Sequence, residues 1–107
     1  MPIAAERRAW VRYACNQAAF CRSLAPEEYF LWTARARDIS RGGISLIVSN
    51  RFEPGTILAV ELLSTNQASS HAAQVRVIHV TAQPAGGWQL GCEFLERLSE
   101  DTLPKLL

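Results

Sequence analysis

The chain has 107 residues, of which 49% are apolar, so it is long enough for one hydrophobic core and too short for two ordinary domains. Eleven basic residues against ten acidic ones leave a formal net charge of +1, which argues against a broad DNA- or RNA-binding face, because such faces need a large excess of Lys and Arg. The sequence has no run of the ~18 apolar residues that cross a membrane and no secretory signal, so we expect a cytoplasmic protein without membrane insertion.

Alternation of apolar and polar residues predicts strands in the first half of the chain. A first strand is predicted over residues 11–24, before the break at Pro26, and a second over residues 29–38. The second is the clearest, because its apolar residues fall on alternate positions, as in a sheet with one packed face. A turn at residues 41–43 precedes a third strand, rich in β-branched residues, over 44–49.

The second half of the chain continues the same pattern. Strands are predicted over residues 56–63, 71–81 and 88–94, separated by a polar loop and by turns rich in Pro and Gly. Six short strands without an intervening amphipathic helix predict an all-β fold, a closed six-stranded antiparallel β-barrel. Ser99, which two acidic residues follow, predicts the N-cap of a short C-terminal helix within residues 96–107.

The cysteines agree with a reducing compartment. Cys15, Cys21 and Cys92 are odd in number, form no C-x-x-C pair and have no histidine at metal-ligand spacing. These features predict neither a disulfide framework nor a metal site, and we expect all three side chains to pack as small hydrophobic residues.

An arginine cluster marks the amino end. Arg8 and Arg12 form an R-x-x-x-R motif, which Arg7 directly precedes. A guanidinium group offers a planar fork of donors that matches a phosphate or the O6/N7 edge of guanine, and its plane can stack on a purine. Taken alone, the pair is also typical of a solvated surface, so its context decides the interpretation.

A D-x-S-x-x-G motif follows about 25 residues later, formed by Asp38, Ser40 and Gly43. Asp38 can accept hydrogen bonds from guanine N1 and N2 or hold an arginine in place, and Ser40 can bind a phosphate or the turn itself. Gly42 and Gly43 allow backbone N–H groups to approach an anion closely. An ordinary Asx turn between two strands is compatible with such a site.

In this order and separation, the two motifs resemble the paired signature of the PilZ domain family, whose members are bacterial receptors for cyclic di-GMP. The resemblance covers nearly the whole chain, through residues 6–12, 36–46, 52–56, 75–80 and 88–95. It implies one domain with two parts. Residues 1–12 form a flexible leader that carries R-x-x-x-R and folds over the ligand, and residues 13–107 form the barrel with its C-terminal helix.

The resemblance also implies a set of site residues. Trp10 either covers a base or packs on the barrel, and packing is the favoured role. His79 is a further candidate, although a structural histidine is the favoured interpretation. Arg37, beside Asp38, is a third candidate, although a solvated strand face is the favoured interpretation. The residues expected to bind cyclic di-GMP are Arg7, Arg8, Arg12, Asp38, Ser40, Gly42 and Gly43.

Ligand number depends, within the family, on the residue just before R-x-x-x-R. Here that residue is Arg7, whose charge would offset the repulsion between the phosphates of two stacked ligands. We therefore expect two intercalated cyclic di-GMP molecules and no other cofactor.

The leading functional hypothesis is a cyclic di-GMP receptor or adaptor. Its leader would change conformation on binding and signal to a downstream protein, with the chain a monomer or a weak homodimer. It is not expected to be an enzyme, because the sequence has no nucleophile elbow, P-loop or metal triad. Two alternatives remain. One is a PilZ-like protein-interaction module that binds no nucleotide, and the other is a barrel for single-stranded nucleic acid, which the near-neutral charge disfavours.

Overall fold

The computed structural model describes residues 10–24, 31–64 and 69–107. The described residues form seven strands and one short helix, α1 (Thr102–Leu106). The strands are β1 (Tyr13–Ala14), β2 (Ala18–Ser23), β3 (Trp32–Ile39), β4 (Gly43–Val48), β5 (Ile57–Leu63), β6 (Ser70–Ala82) and β7 (Trp88–Phe94).

Six of the strands close into a barrel. Around the barrel the order is β3-β2-β5-β6-β7-β4, and β4 pairs with β3 to complete the circle. Every pairing is antiparallel. The predicted six-stranded antiparallel barrel is therefore confirmed, and the start predicted for its second strand, at Tyr29, lies outside the described residues.

The first predicted strand is wrong in one respect, because it is divided into β1 and β2. Both pieces pair with the same edge of β3, but Tyr13 pairs with Ile39 whereas Ala18 pairs with Arg35, so the register slips by one residue between them. Such an extra residue is a bulge, which bends a strand. The bend lets β1 continue along the end of β3 that carries the D-x-S-x-x-G motif.

The core fills the inside of the barrel, where inward-facing residues alternate with outward-facing ones along each strand. Ile44 and Leu46 on β4, Val75 and Val77 on β6, and Leu90 on β7 are all completely buried. Cys21 and Cys92 belong to the same core, as expected from the sequence.

The C-terminal helix packs Leu103 and Leu106 into this core. It begins later than the sequence predicts, because its N-cap is Asp101 and not Ser99. Ser99 instead starts the turn before the helix, where its hydroxyl oxygen accepts a hydrogen bond from the N–H of Thr102 at 3.1 Å. In the part of the chain that the structure describes, no helix has the length and apolar character needed to cross a membrane.

Candidate functional site

A bulge in β3 places Asp38 on the outside of the barrel. The pairing of β3 with β4 shifts register between Ala36 and Asp38. Ala36 and Ile39 are buried in the core, whereas Arg37 is exposed and Asp38 is half-buried between them. Strict alternation would turn Asp38 inward together with Ala36, so the extra residue is what makes this carboxylate accessible.

Ser40 organises the turn between β3 and β4. Its buried hydroxyl oxygen accepts hydrogen bonds from the N–H of Gly42 at 3.2 Å and from the N–H of Gly43 at 3.1 Å. Its own N–H donates to the carbonyl of Gly43 at 2.9 Å. Of the two roles open to Ser40, the structure shows binding to the turn. The N–H groups of both glycines are directed at this hydroxyl, so their approach to an anion stays a prediction.

Gly42 and Gly43 both lie in close contacts, Gly43 with backbone and Gly42 with a side chain. A Cβ atom on Gly43 would lie 2.5 Å from the carbonyl oxygen of Cys92 on β7, and one on Gly42 would lie 2.4 Å from Cε3 of Trp10. Neither distance is possible for real atoms without a shift. Trp10 thus packs directly on the turn, the favoured one of its two predicted roles.

Arg12 joins the two motifs. Its Nε and Nη2 atoms lie 2.8 Å and 2.6 Å from the same carboxylate oxygen of Asp38, across 26 positions of sequence. The side chains are 53% and 31% exposed, so water reaches the pair. Of the roles that the sequence leaves open for Asp38, holding an arginine is the one seen in this structure.

The other candidates divide into three groups. Arg7 and Arg8 lie outside the described residues. Arg37 is exposed beside Asp38 and takes part in the sheet through its carbonyl, which accepts from the N–H of Cys15 at 2.9 Å. His79 lies at a second bulge, where the register of β6 and β7 shifts, and its side chain is exposed on the outer face.

Ser45 and Gly91 connect Asp38 with His79, a feature that sequence reasoning missed. Asp38 pairs with Ser45, Ser45 with Gly91, and Gly91 with His79, so the four residues form one row across β3, β4, β7 and β6. Directly paired residues share a face of the sheet, and a Cβ on Gly91 would contact the His79 side chain at 3.5 Å. The row crosses three strand spacings, roughly 14 Å. Its two central residues are not open, because Ser45 is 6% exposed and the His79 side chain lies beside Gly91. The alternation of apolar and polar residues in the sequence could not reveal this row, because each bulge shifts the alternation by one residue.

The segment after β7 is fastened to the same turn. Arg41 donates from Nε to the carbonyl of Leu98 at 2.9 Å, and Nη1 lies 3.5 Å from Glu100. Arg97 places its guanidinium 4.7 Å from the ring centroid of Trp10. No sequence motif marked these contacts, which join residues far apart in the chain.

Solved structures share this fold at low sequence identity. The inhibitor of motility MotI/DgrA of Bacillus subtilis has a TM-score of 0.69 and 19% identity, over 94% of this chain and 48% of that one. The PilZ domain of YcgR from Escherichia coli with c-di-GMP has a TM-score of 0.66 and 17% identity, over 94% of this chain and 86% of that one. A K. pneumonia MrkH–c-di-GMP complex has a TM-score of 0.64 and 20% identity, over 89% of this chain and 46% of that one.

The chain thus spans about half the length of MotI/DgrA and MrkH and most of the YcgR domain. No curated protein sequence matches it. The family model of the PilZ domain matches residues 6–107, from the R-x-x-x-R motif to the end of the helix. Together with the barrel and the ion pair between Arg12 and Asp38, this match shows that the chain belongs to the PilZ domain family.

Proposed function

We propose that this protein is a receptor for cyclic di-GMP, which it binds between the arginines of the R-x-x-x-R motif and the outer face of the barrel at the β3–β4 turn. The observation that carries the proposal is the ion pair of Arg12 with Asp38, because it joins one residue of each motif. The PilZ structures of YcgR and MrkH that contain c-di-GMP support the choice of ligand.

Binding proceeds as an exchange of partners. Arg12 leaves Asp38 and pairs with a ligand phosphate or the O6/N7 edge of guanine, and the carboxylate that is released accepts from guanine N1 and N2. The exchange costs little, since an ion pair this exposed is worth about 0–1 kcal/mol. The bonds to the ligand are stronger, because the ligand excludes water from them.

A flat base lies over the row of Asp38, Ser45, Gly91 and His79, and it meets Asp38 at one end and His79 at the other. Ser45 is 6% exposed and the His79 side chain lies beside Gly91, so His79 turns away from Gly91 when the base binds. In its new position, His79 stacks on the base or donates to it.

Arg7 and Arg8 complete the cation cluster around the phosphates, and two intercalated ligands bind. A titration of the protein with cyclic di-GMP measures this number directly. The expected ratio is two ligands per chain, and Arg7→Ala lowers it to one because the additional charge is lost. A ratio of one for the unchanged protein would contradict the two-ligand form without affecting the proposal of a receptor.

The output of binding is a change of shape and not a chemical reaction. In the proposed complex, the leader closes over the ligand and presents a different surface to a downstream protein in the cytoplasm. A free energy of binding can order the leader only if the charge-assisted bonds exceed the loss of conformational entropy. The cluster of Arg7, Arg8 and Arg12 supplies several such bonds.

Isothermal titration calorimetry with cyclic di-GMP tests the proposal, and separate titrations with GTP and cyclic di-AMP are the controls for ligand selectivity. We expect binding of cyclic di-GMP at micromolar or lower concentration, and a loss of about 10- to 100-fold for Arg12→Ala, which removes hydrogen bonds to charged groups. Arg51→Ala is the matched control, because Arg51 is an exposed arginine outside both motifs. Failure of the unchanged protein to bind at these levels would overturn the proposal and favour the interaction module without nucleotide.

A further inference from the structure

Arg97 lies outside both motifs, yet it contacts the segment that carries R-x-x-x-R. Its guanidinium carbon is 4.7 Å from the ring centroid of Trp10, within the range of a cation–π interaction. The same ring lies on Gly42, where an added Cβ would be 2.4 Å from Cε3 and 2.5 Å from Cζ3. Trp10 therefore touches the β3–β4 turn and Arg97 at once.

The backbone around Arg97 is fixed by the turn itself. The N–H of Leu98 donates to the carbonyl of Arg41 at 2.8 Å, and Arg41 Nε donates back to the carbonyl of Leu98 at 2.9 Å. On the other side of Arg97, the N–H of Phe94 donates to the carbonyl of Gly42 at 2.9 Å. Leu98 is anchored in the core, so the barrel holds the base of the Arg97 side chain in place.

Trp10 stands midway between the two arginines of the motif, two positions after Arg8 and two before Arg12. Two residues of chain span about 7 Å, so a fixed Trp10 confines Arg12 to a small region beside Asp38. Each residue that ligand binding must order weakens the binding, and a residue that is already in place removes that loss.

We propose that Arg97 is a positioning residue for ligand binding, which acts by holding Trp10 on Gly42 and thereby keeps Arg12 at the site. This inference rests on the proposed cyclic di-GMP function. It assigns a role to the segment after β7, which neither motif includes. A direct bond from Arg97 to a ligand phosphate would also raise the affinity for cyclic di-GMP. The experiment must distinguish this direct contact from the positioning of Trp10.

A double-mutant cycle separates them, because an effect that passes through Trp10 disappears when Trp10 is absent. The affinity for cyclic di-GMP is measured by calorimetry for the unchanged protein, Arg97→Ala, Trp10→Ala and the double variant. We expect Arg97→Ala to weaken binding about two- to fivefold, as the loss of an exposed cation–π contact would. In the Trp10→Ala background, the same change should have no further effect.

Arg51→Ala is the matched control, since Arg51 makes the equivalent contact with Trp88, at 5.5 Å, away from the motif turn. It should leave the affinity unchanged. Arg97 is exposed, so Arg97→Ala should fold, and a circular dichroism spectrum checks this. Arg97→Lys should retain part of the affinity, because an ammonium stacks less well on indole than a guanidinium does.

Three outcomes would overturn the inference while leaving the receptor proposal intact. One is binding by Arg97→Ala at the unchanged affinity. Another is an equal loss in both backgrounds, which would mean direct contact with the ligand. The third is tighter binding by Arg97→Ala, which would mean that Trp10 obstructs the ligand. If the unchanged protein does not bind cyclic di-GMP, the receptor proposal itself fails.

Discussion

Arg12 and Asp38 form an ion pair that is too exposed to stabilise the fold appreciably. Their side chains are 53% and 31% exposed, and pairs of this kind contribute about 0–1 kcal/mol. We therefore predict that Arg12→Ala and Asp38→Asn each lower the free energy of unfolding by less than about 1 kcal/mol. Urea denaturation followed by tryptophan fluorescence measures this. If either variant lowered the free energy of unfolding by more than about 2 kcal/mol, the pair would be stabilising the fold and would not be readily available to a ligand.

Gly42 and Gly43 are neighbours, but substitution should affect them differently. A Cβ on Gly43 meets a backbone carbonyl oxygen of β7 at 2.5 Å, so the two strands must separate. We predict that Gly43→Ala costs about 2–3 kcal/mol of unfolding free energy, in the range of an overpacked site. A Cβ on Gly42 meets the Trp10 side chain instead, which can move.

The Gly42→Ala variant is thus the internal control for Gly43→Ala. It should cost less than about 1 kcal/mol of stability, and it should weaken cyclic di-GMP binding because Trp10 leaves its place on the turn. Urea denaturation and calorimetry on both variants give the comparison. Equal loss of stability in the two variants would show that the Trp10 contact is as rigid as the backbone contact.

Single residues were predictable from sequence where their chemistry is local. Asp38 and Ser40 belong to a motif of six positions, and the sequence already offered the roles that the structure shows, binding an arginine and closing the turn. Arg97 was not predictable, because its partner Trp10 is far away in the chain and no short-range pattern records such a contact. Contacts of this type follow from the closure of the barrel.

At the scale of elements, alternation located the strands but not their irregularities. Turn residues rich in Gly and Pro bounded the strands, and residues 88–94 were predicted with both ends correct. The bulges in β3 and β6 and the break between β1 and β2 were missed, because one additional residue leaves the composition of a strand unchanged. The bulges in β3 and β6 are what turn Asp38 and His79 outward, so the candidate site depends on the least predictable part of the fold.

The helix α1 should contribute to stability through its buried leucines. Leu106 is 5% exposed and Leu107 is 41% exposed, so two adjacent leucines provide a matched test. We predict that Leu106→Ala lowers the free energy of unfolding by about 2–4 kcal/mol through the cavity that it leaves, and that Leu107→Ala lowers it by less than about 0.5 kcal/mol. Thermal and urea denaturation provide the values. Similar small losses in both variants would mean that the helix is not docked on the barrel in solution.

In the whole molecule, the leucines that close the core and the β3–β4 turn lie at the same end of the barrel. Leu98, Leu103 and Leu106 close the core there, while Arg41 holds the chain between them and the β3–β4 turn. A ligand that binds at this turn therefore acts on a region whose backbone is bonded to the C-terminal segment. The hydrogen bonds between Arg41 and Leu98 are what join the β3–β4 turn to the segment that leads to α1.

The buried thiols should make the stability of the whole barrel depend on alkaline pH. Desolvation by burial raises the pKa of Cys21 to about 11 and that of Cys92 to about 12, from the ordinary value of 9.0. The folded state thus holds these protons more tightly than the unfolded state does. The resulting stabilisation is fully present below pH 9 and is lost as the pH rises through 11 to 12.

Cys21→Ala isolates this effect, because alanine cannot ionise and its cavity cost does not vary with pH. We predict that the free energy of unfolding falls less steeply between pH 9 and pH 11 in this variant than in the unchanged protein, by about 1–3 kcal/mol over the interval. Urea denaturation at several pH values measures the slope. Cys15→Ala is the control, since Cys15 is only half-buried and should flatten the curve less. Parallel curves for Cys21→Ala and the unchanged protein would show that the pKa of the Cys21 thiol is the same in the folded and unfolded states.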